Sequence, residues 1–260
     1  MRAGILSLAL AGAAGWYAAS AQHRPSERRA PARPAVESGS SQSEFTFVRA
    51  VYTGLGPWGY YKGWSTDWPK ADRQFMIGVD RLTNIRTSSE TKTLRLTDPG
   101  LFEFPFVYAV EVGHWNLNDE EAASLGEYLR RGGFLFCDDF WGSWEWANFE
   151  QNMRRVLPDR PIAELPGDHP LFHSYYDIER IVQTPNVGNA LERRRTHEQD
   201  GYVPHCRGIS DDKGRLMVVI NWNTDLGDAW EWADLPGYPA RYSTYAYQVG
   251  INAIIYAMSH

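Results

Sequence analysis

The chain has 260 residues, enough for one large domain or two small ones, and 14% of them are aromatic, including 11 Trp and 14 Tyr. Its net charge is −6, and because residues 1–43 carry five Arg and two Glu, the remaining 21 basic and 30 acidic side chains give residues 44–260 a charge of −9. An acidic domain with no basic stripe excludes nucleic acid as the expected partner.

The N-terminal part of the chain predicts export followed by a spacer. Residues 1–21 have a positive start, an apolar stretch and a small-residue cleavage site, so we expect a signal peptide and a periplasmic or secreted protein. An uncleaved N-terminal anchor is the alternative, and it is the only membrane contact that we expect. Residues 22–43 are rich in Pro, Ser and Arg without periodicity, which predicts a disordered linker before a single domain over residues 44–260.

The first half of the domain alternates strands with helices. Asp67 is predicted to cap the first helix, and a second helix is predicted from Asn118, which opens an acidic first turn, to Gly132. The apolar face of the first helix is expected to be buried and consists of Phe75, Met76, Val79 and Leu82. Apolar runs predict strands at residues 45–52, 94–96 and 106–112. Strands and helices at this spacing predict βαβ units with parallel strands.

The second half of the domain predicts one more helix at about residues 144–157. A hairpin turn is predicted at residues 211–214, followed by an apolar strand at 215–222. A final helix is predicted from Thr244 to Met258, with Met258 on its buried face. The fold class is therefore α/β, with three layers, a mostly parallel sheet and an added β-hairpin. Cys137 and Cys206 fall in strand-like segments, so a disulfide and two buried thiols both remain open.

The most informative segment runs from Gly132 to Gly142, in which Asp138 and Asp139 follow an apolar strand. Ligands of open α/β sheets bind outside the carboxyl ends of the strands, so this pair marks a candidate site. Because successive strand residues point to opposite faces, we expect one Asp to face the cleft and the other to bind backbone groups. The pair could ligate a metal, act as acid or base, or be structural.

Two further segments are expected to lie near this pair. His114 follows the preceding strand and could be a metal ligand, a base or a hydrogen-bonded loop residue. Residues 221–232 follow another strand and mix acidic, amide and indole side chains, a combination that can bind a carbohydrate. The alternative is that the segment buries its own tryptophans and binds no ligand through them. The ligand-binding candidates are His114, Trp115, Asp138, Asp139, Trp141, Asn223, Asp225, Asp228, Trp230 and Glu231.

A divalent metal is possible, with Asp138, Asp139 and His114 as its ligands. The chain has no nucleotide or flavin signature and no nucleophile motif of the G-x-S-x-G type. The aromatic, Gly-containing residues 58–64 predict a mobile lid, a stacking surface or a cap on the core.

An ordered set of motifs resembles the bacterial domain-of-unknown-function family 4159. The motifs are residues 45–49, 66–72, 132–139, 168–172, 226–231 and 250–256. The resemblance covers residues 44–260 and implies a flavodoxin-like, class I glutamine amidotransferase-like fold in a bacterial envelope protein, with no established catalytic residues. Glutaminases of that fold use a cysteine on a strand-to-helix turn, where this chain has Asp138 and Asp139, so glutaminase activity is not expected.

The residues leave two functions open, and whether the protein is an enzyme stays undecided. The favoured one is a non-catalytic exported domain whose acidic, Trp-rich cleft binds a glycan, a cell-wall fragment or an envelope protein. The alternative is a metal-assisted hydrolase of a glycan or cell-wall substrate, using the Asp138–Asp139 pair and His114.

Overall fold

The computed structural model describes residues 43–56 and 63–260. The predicted signal peptide, nearly all of the predicted linker and most of the aromatic segment 58–64 lie outside the described residues. The described chain forms a seven-stranded sheet in the order β2-β1-β3-β4-β7-β6-β5. Its strands are β1 (Val48–Val51), β2 (Lys92–Arg95), β3 (Phe106–Val110), β4 (Phe134–Asp138), β5 (Ala163–Glu164), β6 (His205–Ser210) and β7 (Leu216–Trp222).

The sheet is parallel from β2 across to β7, and β6 and β5 add an antiparallel edge. The order β2-β1-β3-β4-β7 of the parallel strands is the flavodoxin-like one, in which ligands bind at the carboxyl ends where the strand order reverses. A turn at residues 211–214 joins β6 to β7, which confirms the added hairpin.

Two helical layers enclose the sheet, which confirms the predicted three-layer α/β fold. The described helices are α1 (Lys70–Leu82), α2 (Asp119–Arg130), α3 (Gly142–Val156), α4 (Leu226–Glu231) and α5 (Ala240–Ser259). One core contains α1, α4 and α5, and the other contains α2 and α3. Alternate residues of β3 supply both cores, Tyr108 the first and Val107 the second. No helix in the described part of the chain is long and apolar enough to span a membrane.

Several local predictions for the helices are wrong. Asp67 does not cap α1, because it has a left-handed φ of 62° and the N-cap position belongs to Pro69. Leu82 and Met258 are exposed rather than buried, since each lies in the last turn of its helix. The final helix begins earlier than predicted, at Ala240, and a short helix, α4, that was not predicted follows β7.

The two cysteines are free, buried thiols. Cys137 lies on β4 and Cys206 on β6, with β7 between them. Two strand spacings amount to about 9–10 Å, whereas a disulfide joins Cα atoms less than roughly 7 Å apart. Burial also raises the pKa of Cys137 well above its ordinary value, which keeps this thiol protonated and a poor nucleophile.

Candidate functional site

A cleft with a volume of about 380 Å³ is lined by segments that follow β1, β3, β4 and β7 and by the segment between β5 and β6. Seven of its lining side chains are carboxylic acids, and His114 is the one described lining residue that can carry a positive charge. The described lining residues are Thr66, Asp67, Glu111, His114, Asp139, Trp141, Glu145, Asn186, Glu198, Gln199, Asp225 and Asp228. The cleft therefore concentrates negative charge at the edge of the sheet where flavodoxin-like folds bind ligands.

Strands β3 and β4 bring two acids to the cleft. They stay in register to their last residues, so Glu111 and Asp139 leave the sheet at the same level. Asp138 instead turns inward and accepts hydrogen bonds from the Tyr108 hydroxyl at 2.9 Å and from the Gly227 N–H at 2.8 Å. Burial raises the pKa of Asp138 to about 7 in spite of these bonds. Strand alternation thus sends one Asp to the cleft and the other to the backbone.

The cleft is built from strained backbone. Asp67, Glu111, Asp139 and Gln199 all line it with left-handed φ angles, of 62°, 55°, 50° and 45°. Each such residue costs about 1–3 kcal/mol relative to a relaxed conformation, and strain of this kind collects at binding and catalytic sites. Four strained residues in one cleft therefore indicate a functional site.

A buried ion pair holds the segment that carries Asp67. The guanidinium of Arg49 binds the Asp72 carboxylate through Nε, at 3.0 and 3.1 Å, and through Nη2, and both side chains are fully buried. Its Nη1 donates to the carbonyl oxygens of Trp64 and Thr66, each at 3.0 Å. Arg49 thus fixes the backbone immediately before Asp67 and is a positioning residue for the cleft.

Three aspartates form the centre of the cleft. One carboxylate oxygen each from Asp67, Asp139 and Asp225 lies within 4.8 Å of the other two. The Oδ2 atom of Asp67 is buried, and no donor among the described residues reaches it. Burial raises the pKa of all three carboxyl groups well above the ordinary value. Neighbouring carboxylates raise these pKa values further: the charge of Asp228 raises that of Asp67, and the charge of Glu111 raises that of Asp139.

Helix α4 contributes two acids, Asp228 and Glu231, to a second acidic group that lies beside the three aspartates. Asp225 caps this helix by accepting the Asp228 N–H at 2.7 Å, and Asp228 Oδ1 accepts the Trp232 indole N–H at 3.1 Å. Carboxylate oxygens of Asp67, Asp228 and Glu231 also lie within 4.8 Å of one another. Asp67 therefore belongs to both acidic groups and connects them.

His114 lies in a separate cluster of the same cleft. Its Nδ1 is 3.1 Å from Glu111 Oε2 and its Nε2 is 3.8 Å from Glu145 Oε1. Burial opposes the charged imidazole, but the hydrogen bond with Glu111 and the charge of Glu145 outweigh it and raise the pKa of His114. A histidine and two carboxylates are donors that suit Zn²⁺ or Mn²⁺.

The metal ligand set expected from the sequence is not brought together. Asp138 is bound to backbone and hydroxyl groups inside the protein and does not line the cleft. His114 groups with Glu111 and Glu145, whereas Asp139 groups with two other aspartates. The prediction failed because side-chain directions beyond the strand ends depend on loops whose conformation the sequence does not reveal.

Two tryptophans proposed as ligand contacts are core residues instead. Trp115 and Trp230 are 0% exposed, and the indole of Trp230 stacks on Phe75 with ring centroids 4.3 Å apart. A ligand therefore cannot stack on either ring. For Trp230, the alternative that residues 221–232 pack their own indoles into the protein is the correct one. Trp141 does line the cleft, where its Nε1 donates to Asp139 Oδ1 at 3.0 Å.

Asn223, another candidate, supports the cleft from behind. Its Oδ1 accepts the Gly142 N–H at 2.8 Å, and its Nδ2 donates to the Val203 carbonyl at 2.7 Å. It therefore joins the start of α3 to the segment before β6 and does not line the cleft. Glu231 is half-buried beside the cleft, in the acidic group of α4.

Four acids of the cleft were missed as ligand-binding candidates, and one of them, Asp67, was expected only as a helix cap. Glu111 ends the apolar run of β3 just as Asp139 follows that of β4, so the same rule would have found it. Glu145 lies within α3 and Glu198 in an irregular segment, and neither position carries a sequence signal. Only the tertiary fold brings these two residues to the cleft.

A family model described as "Domain of unknown function (DUF4159)" matches residues 46–258 of the chain. The match contains all seven parallel and antiparallel strands and every acid that lines the cleft. No curated protein matches the chain.

Proposed function

The chain belongs to the DUF4159 family, and we propose that its acidic cleft binds a divalent cation through Asp67, Asp139 and Asp225. The bound cation then holds a ligand that offers further oxygen donors. The proposal rests on the buried Oδ2 of Asp67, which receives no hydrogen bond from the described residues, in a carboxylate group that has an oxygen within 4.8 Å of oxygens of Asp139 and Asp225.

Electrostatics supports a cation at this position. Two unit charges 4 Å apart repel by about 4 kcal/mol at an effective dielectric constant of 20. Asp139 and Asp225 are buried and Asp67 is half-buried, so three carboxylates with oxygens within 4.8 Å of one another cannot all stay ionised here without compensation. Either protons or a cation must neutralise them, and Arg49, the one buried basic side chain among the described residues, is already paired with Asp72.

The donor set favours a hard cation such as Ca²⁺, Mg²⁺ or Mn²⁺, because all three ligands are carboxylate oxygens. Calcium takes six to eight oxygen ligands, so three carboxylates leave positions for hydroxyl or carboxylate groups of a ligand. A glycan, a cell-wall fragment or an envelope protein can supply such groups. We propose these as the ligand classes.

We also propose that this binding takes place outside the cytoplasm. The signal-peptide pattern of residues 1–21, which lie outside the described residues, supports export. Extracellular calcium modules bind with dissociation constants of about 10⁻⁴–10⁻³ M, which a cleft with open coordination positions can match.

Terbium luminescence tests the cation site. Tb³⁺ substitutes for Ca²⁺ and emits when a nearby indole is excited, and Trp141 lies beside Asp139. We expect saturable Tb³⁺ emission that Ca²⁺ displaces and that Trp141→Phe weakens. Because this substitution also removes the N–H that donates to Asp139 Oδ1, it should lower Ca²⁺ affinity as well. Affinity should rise from pH 5 to pH 8, because protons on carboxyl groups of raised pKa compete with the cation at the lower pH. Unsaturable emission, or affinity independent of pH, would contradict the assignment.

The cluster of Glu111, His114 and Glu145 favours a metal-assisted hydrolase as the second candidate. A metal held there would activate a water molecule close to a ligand bound in the cleft. If this candidate is correct, Mn²⁺- or Zn²⁺-loaded protein should release soluble dye from labelled peptidoglycan, and His114→Gln should lower the rate by at least ~100-fold. A metal-loaded wild-type protein that releases no dye would exclude this activity on peptidoglycan and leave the binding function.

A further inference from the structure

One exposed indole stands beside the acidic cleft. Trp144 is 57% exposed, more than any other described tryptophan, and the next is Trp68 at 45%. The Trp144 ring lies against the imidazole of His114, a lining residue of the cleft, with ring centroids 5.7 Å apart. An apolar surface and a group of acids therefore meet at the cleft rim.

The backbone that carries Trp144 is firmly held. It lies in the first turn of α3, where the Gly142 N–H is accepted by Asn223 Oδ1 and the Ser143 N–H by Asp200 Oδ1, both at 2.8 Å. A rigid mounting reduces the entropy that a binding contact must overcome. The exposed Trp144 side chain therefore projects from a backbone that hydrogen bonds hold in place.

We infer that Trp144 forms a stacking subsite for a sugar ring whose hydroxyl groups reach the cation in the acidic cleft. The inference rests on the proposed function and names its ligand as a glycan. A pyranose has an apolar face that packs on an indole and hydroxyl groups that suit a hard cation. A peptide ligand would not need this combination of an aromatic face and a cation, so we take the glycan as the occupant.

A glycan array of uncharged oligosaccharides, probed with the full chain in the presence of Ca²⁺, tests this inference. We expect wild-type protein to retain at least one oligosaccharide and to lose it in EDTA. Trp144→Ala should weaken that binding about tenfold, whereas Trp144→Phe keeps a stacking face and most of the affinity. Tyr175→Ala is the matched control, because Tyr175 is 50% exposed and binds the Leu82 carbonyl, away from the cleft.

Calcium affinity is measured separately on every variant. Trp144→Ala should bind Ca²⁺ as the wild type does, because the indole contributes no cation ligand. A protein that binds Ca²⁺ but retains no oligosaccharide, or that retains it equally well after Trp144→Ala, overturns the stacking subsite and leaves the cation site intact. A protein that binds no cation overturns the proposed function itself.

Discussion

The paired substitutions Asp139→Asn and Asp225→Asn should abolish cation binding and at the same time stabilise the cation-free protein. Loss of an outer-shell partner alone weakens metal affinity by roughly 10–100-fold, so removal of two direct ligands should weaken Ca²⁺ binding by at least ~100-fold. Asparagine keeps the acceptor oxygens that bind the Trp141 indole and the Asp228 N–H. The fold should therefore remain intact.

The gain in stability follows from the raised pKa values of these two aspartates. A carboxyl group whose folded-state pKa is raised binds more protons in the folded than in the unfolded protein, so its stabilising effect is lost as the pH rises through the folded pKa. Cation-free protein should consequently be less stable at pH 8 than at pH 5, and the Asn variant should remove much of this difference. Each kcal/mol of repulsion relieved should raise the melting temperature by about 2–4 °C.

A matched control keeps the change in net charge the same. Asp80→Asn with Asp177→Asn neutralises two exposed carboxylates that do not line the cleft. This variant should bind Ca²⁺ normally and show no gain of stability specific to high pH. If the cleft variant retains wild-type affinity, or loses stability at pH 8, the cation assignment is wrong.

Arg49→Met should destabilise the protein by about 3–5 kcal/mol, because it leaves the buried carboxylate of Asp72 without its partner. Chemical denaturation measures this loss. The double variant Arg49→Met with Asp72→Leu should recover much of the stability, since it removes both buried charges together. The double variant should recover stability without recovering cation binding, because it still lacks the hydrogen bonds to the carbonyls of Trp64 and Thr66.

We therefore expect the stable double variant to bind Ca²⁺ more weakly than the wild type. This separation distinguishes a positioning role from a purely structural one. Full recovery of Ca²⁺ affinity together with stability would show that the ion pair contributes nothing to the placement of Asp67.

The fold was predictable because its signals are local and repeated. The continuous apolar run of β3 requires a strand covered on both faces, and the two cores that receive Tyr108 and Val107 provide that cover. The acidic start of α2 predicts a cap, and Asn118 and Glu121 form a capping box there. Periodicity failed only at helix ends such as Leu82, where burial depends on how far the neighbouring elements extend.

The site was predictable in position but not in composition. Asp139 was identified because the carboxyl end of a parallel strand is a general site of binding. Asp67 resembles a helix cap in the sequence, and only its left-handed backbone turns it into a residue of the cleft. Trp230 lies in a polar segment that suggests exposure, yet α4 packs its indole against Phe75. Such outcomes depend on tertiary contacts that no short pattern encodes.

Calorimetric titration of Ca²⁺ into EDTA-treated, dialysed protein at pH 7.5, repeated in buffers of different ionisation enthalpy, shows whether the cleft binds a cation in exchange for protons. We expect saturable binding, a net release of protons as the cation displaces them from the carboxyl groups of the cleft, and loss of both signals in the Asp139→Asn, Asp225→Asn variant. No saturable binding of Ca²⁺, Mg²⁺ or Mn²⁺ up to ~10 mM, about tenfold above the weakest affinities of extracellular calcium modules, would contradict the cation assignment.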